Sequence, residues 1–307
     1  MSDLKPPPHG WIILDKPRGL GSTQAVGAVK RVLREGGYAK TKVGHGGTLD
    51  PLAEGVLPIA LGEATKLAGR MLDASKIYEF TIKFGEETDT LDAEGEVIER
   101  SDILPSARDV YPLLLSKFRG EIDQTPPAFS AVKVDGKRAY DRARAGENVE
   151  LKARSVEIFG WNILGKPTND TIMLAVMVSK GTYIRSLARD IARALGTFGH
   201  VTYLRRTKAG PFTEAQAISL DKLNEIANGA QLSDLLLPLE AGLDDIPALS
   251  LSQTDAQAVR QGRVLSGMPQ SSGLYCATLN SVPVALIEIA EGTAKVVRGF
   301  NLPDVAE

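Results

Sequence analysis

The sequence predicts an α+β body followed by a small β-barrel. In the body, segments with the two-residue repeat of strands are interspersed with segments that have the 3.6-residue repeat of helices. Past Pro238 the pattern changes to short strands separated by Gly, Pro and Asn, at 274–279, 283–289 and 294–298. A chain of 307 residues suits one large domain with a small partner, because domains usually contain about 100–200 residues. We therefore expect a body over residues 1–243 and a barrel over residues 244–307.

The first elements of the body are a strand, a helix and a glycine-rich loop. An apolar strand at 11–14 precedes a helix that Ser22 or Thr23 caps and that Gly36 ends. Apolar residues repeat at helical spacing in it: Val26, Val29 and Leu33. Residues 42–55 form the glycine-rich loop, and a strand at about 56–61 and a helix to Leu72 follow it.

The second half of the body contains two strands and a basic helix. Tyr78 to Phe84 alternates strictly, which predicts a strand with one buried face, and 172–178 is apolar throughout. Between them, residues 120–150 form a polar, basic excursion. A helix at 183–195 directs apolar residues towards the core (Leu187, Ile191 and Leu195) and arginines to the opposite side (Arg185, Arg189 and Arg193).

Composition limits the class of protein. The chain has one cysteine, Cys276, so an internal disulfide is excluded, and its histidines, His9, His45 and His200, lack the spacing of a metal site. No apolar stretch reaches about 18 residues, and the N-terminus does not resemble a signal peptide. We expect a soluble cytoplasmic protein without metal or cofactor.

Charge is unevenly distributed along the chain. Residues 231–307 carry a net charge of −5 and residues 1–230 carry +3. Residues 180–208 contain seven Lys or Arg against Asp190 alone, and residues 133–154 contain seven against four acids. Such patches favour a polyanion by releasing its counterions. On charge alone, a solvated protein surface is about equally compatible.

Three familiar motifs are incomplete. Gly19-Leu-Gly21 lacks the third glycine of a dinucleotide loop, and 160–166 lacks the Ser or Thr that ends a phosphate loop. Ser130 to Lys133 has the spacing of an acyl-enzyme serine, but so short a pattern often arises by chance. We reject all three.

The loop at 44–58 concentrates His45, Asp50 and four glycines. Glycine lets the backbone approach a ligand closely, and Pro51 stiffens the turn that carries Asp50. The carboxylate either forms a turn with its own backbone or faces a cleft as a catalytic group, and physical reasoning alone favours the turn.

This loop resembles the catalytic motif of the TruB family of tRNA pseudouridine-55 synthases. Five further segments resemble motifs of that family in the same order: 14–19, 76–78, 126–140, 181–187 and 204–207. Six matches in order make coincidence implausible. Gly21, Gly46 and Glu54 depart from residues common in the family, and we expect the charge of Glu54 to weaken RNA affinity.

The resemblance implies a fold, an activity and a partner. The fold is a mixed, largely antiparallel sheet flanked by helices, with a PUA-like RNA-binding module over 244–307 and the basic insertion at about 120–150. The activity is isomerisation of uridine 55 in the T-loop of transfer RNA, which requires the base to leave the stack. It needs no cofactor, and the partner is the T-arm of transfer RNA, bound by a monomer.

The resemblance also assigns the site residues. Asp50 is the catalytic carboxylate, and Arg185 is its cationic partner, because a buried carboxylate needs one to remain charged. Tyr78 stacks on the flipped uracil. The remaining substrate-binding residues are His45, Tyr183 and Leu204, with Lys16 and Lys133 as structural or phosphate contacts.

Two questions stay open in the sequence. Asp50 can attack C6, attack C1′ or act through a glycal intermediate. A non-catalytic RNA-binding protein or RNA-folding chaperone is the alternative function, and a small-molecule enzyme built on Ser130 or on the loop at 19–21 is a third.

Overall fold

The elements of the chain come from a computed structural model that describes residues 4–302, except 131, 135, 148, 150 and 167 and the side chains of 133 and 138. The strands are β1 (Gly10–Lys16), β2 (Val43–His45), β3 (Glu54–Leu61), β4 (Lys76–Phe84), β5 (Glu86–Thr88), β6 (Val97–Arg100), β7 (Gly120–Gln124), β8 (Lys133–Val134), β9 (Lys137–Arg138), β10 (Arg154–Gly165), β11 (Thr171–Val178), β12 (Gly199–Ala209), β13 (Phe212–Thr213), β14 (Ala248–Ser250), β15 (Leu265–Ser266), β16 (Gly273–Leu279), β17 (Val282–Ala290) and β18 (Thr293–Gly299). The helices are α1 (Ser22–Glu35), α2 (Ala68–Asp73), α3 (Ala107–Lys117), α4 (Ala139–Arg144), α5 (Ile184–Ala194), α6 (Leu220–Asn224) and α7 (Gln253–Arg260). Short 3₁₀ helices cover Gly62–Leu67, Glu214–Gln216, Glu225–Asn228, Leu232–Asp234 and Leu239–Gly242.

The main sheet has the order β1-β3-β12-β4-β11-β10-β7, with β2 on β3 and β13 on β12. Its pairs are antiparallel except β3 with β12, which pair in parallel. The parallel contact depends on Gly55, since a Cβ there would lie 2.3 Å from the Arg206 carbonyl oxygen. The prediction of a mixed, largely antiparallel sheet with helices is confirmed.

Both faces of this sheet are covered along β1. Ile12 and Leu14 belong to a cluster that includes apolar residues of α1 and α5, whereas Trp11 and Ile13 belong to a second cluster. All four side chains are at most 1% exposed. Burial on both faces explains why the sequence there is apolar without alternation.

The start of α1 differs from the prediction. The N-cap is Gly21, whose N–H donates to the side-chain oxygen of Gln24 at 2.8 Å. Ser22, the predicted cap, is the first helical residue and is buried, because its hydroxyl is bonded to Leu49 of the glycine-rich loop. Thr23, the other predicted cap, is exposed inside the helix.

The predicted excursion at 120–150 is wrong in its first five residues. They form β7, the edge strand of the main sheet, paired with residues 154–158 of β10. The described residues that follow include the short β8–β9 hairpin and α4. In β7 the exposed Glu121 and Asp123 alternate with residues that are less exposed, as expected for a strand at a sheet edge.

A second, five-stranded sheet follows with the order β14-β16-β17-β18-β15, and it confirms the predicted small barrel-like unit. Cys276 and Leu286 of this sheet join Trp11 in the second hydrophobic cluster. The two sheets therefore share this second hydrophobic cluster. No helix within the described part of the chain is both long and apolar enough to cross a membrane.

Candidate active site

A pocket of about 290 Å³ lies where the β2–β3 loop, the start of β4, the β11–α5 turn and β12 meet. It brings together five of the predicted site residues: Asp50, Tyr78, Tyr183, Arg185 and Leu204. Lys16 and His45 are not part of its lining. The side chain of Lys133 lies outside the described residues, so its predicted role stays a prediction.

The loop that carries Asp50 is held from both sides. The Asp50 carbonyl oxygen accepts from the Ala53 N–H at 3.1 Å and closes a turn, so backbone rather than carboxylate makes this bond. The Ser22 hydroxyl donates to the Leu49 carbonyl and accepts from the Leu49 N–H, both at 2.8 Å. The Gly19 N–H donates to the Pro51 carbonyl at 2.7 Å. The loop at 19–21 thus supports the Asp50 turn.

Arg185 fixes the Asp50 carboxylate. Its Nη2 donates to Asp50 Oδ2 at 2.7 Å, and the remaining bonds of the guanidinium go to the carbonyl oxygens of Thr90 and Phe129, both at 2.9 Å. Arg185 is only 5% exposed although it lies in the first turn of α5, where the helix dipole disfavours a cation. The carboxylate accounts for this unfavourable position.

A second carboxylate contacts the same arginine. Asp92 Oδ2 lies 3.4 Å from Arg185 Nη1, and Asp92 is 3% exposed. Asp92 accepts from the Thr90 hydroxyl and the Glu94 N–H through Oδ1. Sequence analysis missed it because an aspartate in the segment 89–95 has the pattern of a turn.

Aromatic and apolar side chains form the other walls. Tyr78 is the first residue of the alternating face of β4, and the next members, Phe80, Ile82 and Phe84, are at most 2% exposed. Tyr78 is only partly buried and borders the pocket. Burial raises the pKa of the Tyr183 phenol, and the Asp50 charge acts in the same direction.

Two buried cations complete the lining, and neither was assigned a role from the sequence. Lys76 Nζ donates to the carbonyl oxygens of Met71, Leu72 and Ala74, at the end of α2, at 2.6–2.9 Å. Arg206 donates to carbonyl oxygens of the glycine-rich loop and β3, namely Gly47 (3.1 Å), Thr48 (3.4 Å) and Val56 (2.8 Å). The motifs that contain them were recognised, but lysine and arginine are rarely buried, so burial was not predicted.

The contacts of Lys16 fit the structural one of its two predicted roles. It is fully buried, and its Nζ donates to the carbonyl oxygens of Leu20 (2.6 Å), Pro17 (3.1 Å) and Pro51 (3.4 Å). The ammonium group has no solvent-facing surface, so this geometry provides no direct contact with a phosphate group. It joins the strand β1 to the Asp50 turn.

His45 stands beside the loop, outside the pocket lining. Its Nδ1 accepts from the Gly47 N–H at 3.4 Å. Burial, followed by the positive charge of Arg206, lowers the pKa of His45. The ring is therefore neutral at neutral pH, which suits hydrogen bonding or stacking better than an ionic contact.

Gly46 and Glu54, the two loop residues that differ from those common in the family, each have a neighbour that fits them. A Cβ at Gly46 would lie 2.6 Å from the Met71 Cβ, so glycine at 46 and methionine at 71 fit each other. Glu54 is 3.3 Å from Arg205, which also contacts Asp15 and Glu214. The charge of Glu54 is therefore shared with an arginine and is less available to repel phosphate than the sequence suggested.

The arginine stripe of α5 is also bound within the protein. Arg193 contacts the buried Glu87 at 2.6 Å, and Arg189 contacts Asp190 at 2.8 Å. These contacts use part of the positive charge of α5, although the Arg193 side chain is 53% exposed and remains solvated. No cluster of His, Cys, Asp or Glu suited to a metal ion occurs among the residues that the structure describes.

A carboxylate held by a buried arginine in a small pocket is typical of an enzyme active site. The fold agrees with this class. A chain of the solved structure of an H/ACA RNP bound to a substrate RNA containing 2′-deoxyuridine matches with a TM-score of 0.72 and 26% identity, over 97% of this chain and 86% of that chain. A chain of a Cbf5-Nop10-Gar1 complex matches with a TM-score of 0.71 and 27% identity, over 99% and 92% of the two chains.

Sequence comparison identifies the family. Residues 33–184 match the N-terminal domain of the TruB family pseudouridylate synthases, and residues 185–244 match the tRNA pseudouridylate synthase B C-terminal domain. A relative named tRNA pseudouridine synthase B, from Novosphingobium aromaticivorans, is 64% identical over 97% of this chain and 99% of its own length. One of the same name from Zymomonas mobilis subsp. mobilis is 59% identical over 95% and 96%. The chain belongs to the TruB family of pseudouridylate synthases, and it is an enzyme.

Proposed function

We propose that the chain isomerises uridine 55 in the T-loop of transfer RNA to pseudouridine. The observation that carries the proposal is the Asp50–Arg185 pair, 2.7 Å apart, in a pocket that Tyr78 also lines. The pocket volume of about 290 Å³ lies near the lower end of the usual range of ligand sites, about 300–1,000 Å³, and suits a single base. Relatives that cover nearly the whole chain are named tRNA pseudouridine synthase B, which supports transfer RNA as the substrate.

Asp50 is the catalytic carboxylate in this proposal. Arg185 orients it through a direct ion pair, and Asp92 is a second carboxylate in contact with the same arginine. Tyr78 stacks on the flipped uracil, a contact worth about 1–3 kcal/mol, which offsets part of the few kcal/mol needed to leave the stack. Tyr183 and Leu204 confine the base, and His45 and Lys133 contact the RNA nearby.

The organisation of the chain follows from the same proposal. Residues 1–243 form the catalytic domain, and residues 244–307 form a PUA-like module that contacts RNA. The enzyme acts as a monomer in the cytoplasm on the T-arm and needs no cofactor. Light scattering of the free protein and of its RNA complex tests the monomer.

The experiment is incubation with an unmodified transfer RNA transcript, followed by mapping of pseudouridine at each uridine. We expect conversion at position 55. Asp50→Asn should lower turnover by at least about 1,000-fold while RNA affinity is largely retained. Asp221→Asn, a change of an exposed aspartate, is the matched control and should behave as wild type.

Two outcomes separate the alternatives. Modification at another uridine would overturn the choice of position but not the chemistry. An Asp50→Asn variant that retains the full effect of the protein on RNA would favour a non-catalytic RNA-binding protein.

A further inference from the structure

Two buried cations of the pocket have no role in the proposed function. Lys76, on β4, is 6% exposed, and Arg206, on β12, is 1% exposed. Both line the pocket that contains Asp50. Within the described part of the chain, every hydrogen bond recorded for these two groups goes to a backbone carbonyl oxygen and none to a carboxylate.

This arrangement differs from that of Arg185. Arg185 contacts two carboxylates, those of Asp50 and Asp92, so its charge is compensated within the site. Carbonyl oxygens satisfy the donors of Lys76 and Arg206 but carry no net charge. The wall that these two cations form therefore has an excess of positive charge.

The two cations are close enough to affect each other. Gly47 lies between them: a Cβ there would be 3.5 Å from Arg206 Nη1 and 4.0 Å from Lys76 Cε. Burial, followed by the charge of Arg206, lowers the pKa of Lys76 to about 8. The aspartate that acts in the opposite direction is Asp73, whose side chain is 65% exposed and contacts Lys180. At neutral pH the wall remains positively charged.

A uridine isomerase produces a transient negative charge at this place. When the N1–C1′ bond breaks heterolytically, the bonding electron pair stays on N1 and uracil leaves as a monoanion. The electron-deficient C1′ of the ribose either bonds to the Asp50 carboxylate or forms a double bond to C2′, which loses its proton to that carboxylate. The new C5–C1′ bond then uses an electron pair of the base, while the Asp50–C1′ bond breaks on the first route or C2′ takes its proton back from Asp50 on the second. The C5 proton is lost, and N1 takes up a proton.

We infer that Lys76 and Arg206 stabilise the detached uracil as a monoanion through the uncompensated positive charge of the pocket wall. The inference rests on the proposed function, because it concerns the base released by that reaction. Fixed charges in a water-poor site act strongly on charge that develops during a reaction, and they need no reorganisation when it forms. A neutral uracil gains much less from such a wall.

The test uses 5-nitrouracil, an acidic analogue whose anion and neutral form absorb differently. Its absorbance is titrated with pH in the presence and absence of the full-length enzyme, and displacement by the transfer RNA transcript checks that it occupies the base pocket. We expect binding to move the ionisation of 5-nitrouracil to lower pH, with the anion bound at least about tenfold more tightly than neutral uracil.

Variants of Lys76 isolate the charge from the side-chain volume. Lys76→Met keeps the stem and should abolish most of the ionisation shift and lower the single-turnover rate by about 10- to 1,000-fold. Lys76→Arg keeps the charge and should recover most of both. Lys222→Met, at an exposed lysine of α6, is the control and should change neither.

The inference is overturned if wild-type enzyme leaves the ionisation of 5-nitrouracil unchanged or does not bind it. It is also overturned if folded Lys76→Met retains the full shift. Because pseudouridine formation is measured in parallel, an enzyme that modifies transfer RNA but shows no shift disproves only this inference. An enzyme that modifies no uridine disproves the proposed function itself.

Discussion

At the scale of single residues, buried cations surround the glycine-rich loop that carries Asp50. Lys16, Lys76 and Arg206 all donate to backbone carbonyl oxygens, and Lys16 and Arg206 reach the loop on either side of Asp50. Burying a charge costs free energy unless its donors are satisfied, and here backbone carbonyl oxygens of the loop and of neighbouring segments are the acceptors. Lys16 and Arg206 therefore fix the backbone that carries Asp50.

The buried Lys16 makes the stability of the protein depend on pH. Burial lowers the pKa of Lys16 from 10.5 to about 8, although the Asp50 charge acts in the opposite direction. Between these two values the unfolded chain binds more protons than the folded one, so stability contributed through Lys16 rises with pH. We expect the free energy of unfolding in urea to rise for wild type relative to Lys16→Met between pH 8 and about 10. A flat or falling difference would contradict the assignment.

Gly46 and Met71 form a second residue-scale test. Gly46→Ala places a Cβ against Met71 and should cost about 1–3 kcal/mol through overpacking. Met71→Gly removes the Cβ that the new methyl group would meet, but alone it leaves a cavity and should also destabilise the protein. In the double variant the new methyl group occupies freed space. The stability lost by the double variant should therefore be smaller than the sum of the losses of the two single variants. Additive costs in a thermal double-mutant cycle would show that the two positions do not compete for space.

At the scale of elements, α1 and the β2–β3 loop behave as one unit. The Ser22 hydroxyl makes both bonds to Leu49, and the loop at 19–21 reaches Pro51. The position of Asp50 thus depends on the start of a helix that is distant from it in sequence.

Ser22→Ala tests this coupling. The change leaves a buried N–H and carbonyl of Leu49 without the hydroxyl and should lower stability by about 1–3 kcal/mol. It should also reduce kcat, because the Asp50 turn is loosened. Thr23→Ala, at the adjacent exposed position, should stay within about 0.5 kcal/mol. If Thr23→Ala were the more costly change, Thr23 and not Gly21 would be the functional helix cap.

These elements also show what the sequence could and could not predict. The periodic segments at Tyr78–Phe84 and in α5 predicted their strand and helix, because burial of one face imposes the repeat. The Arg185 pairing came from resemblance. The inward-facing Ser22 and β7 in a polar segment depend on contacts with residues far along the chain, and local pattern carries no information about such contacts. The partners of Gly21 and Lys76 are close in sequence, but they are a side chain and backbone carbonyls that the apolar repeat does not reveal.

At the scale of the whole molecule, the two sheets share one apolar cluster that contains Trp11, Leu286 and Phe300. Polar contacts add to it: the Lys66 ammonium donates to the Gly299 carbonyl at 2.9 Å, and the Asn301 N–H donates to Glu63 at 2.8 Å. The five-stranded sheet is therefore packed against the body that contains the main sheet.

Shared packing predicts cooperative unfolding. Leu286→Ala should remove about 2–5 kcal/mol from the single transition of the whole chain, since it opens a cavity in the common cluster. Tryptophan fluorescence, dominated by Trp11 and Trp161 of the body, and far-ultraviolet circular dichroism should report the same midpoint. Two separated transitions, with only one shifted by Leu286→Ala, would show that the sheets unfold independently.

The single cysteine lies in that same cluster. Cys276 is 4% exposed, and burial raises the pKa of its thiol to about 11. A thiol in this state reacts poorly with electrophiles, because the thiolate is the reactive form. The low reactivity of Cys276 thus depends on the packing of the two sheets against each other. A thiol reagent should therefore label Cys276 only when the five-stranded sheet separates from the body.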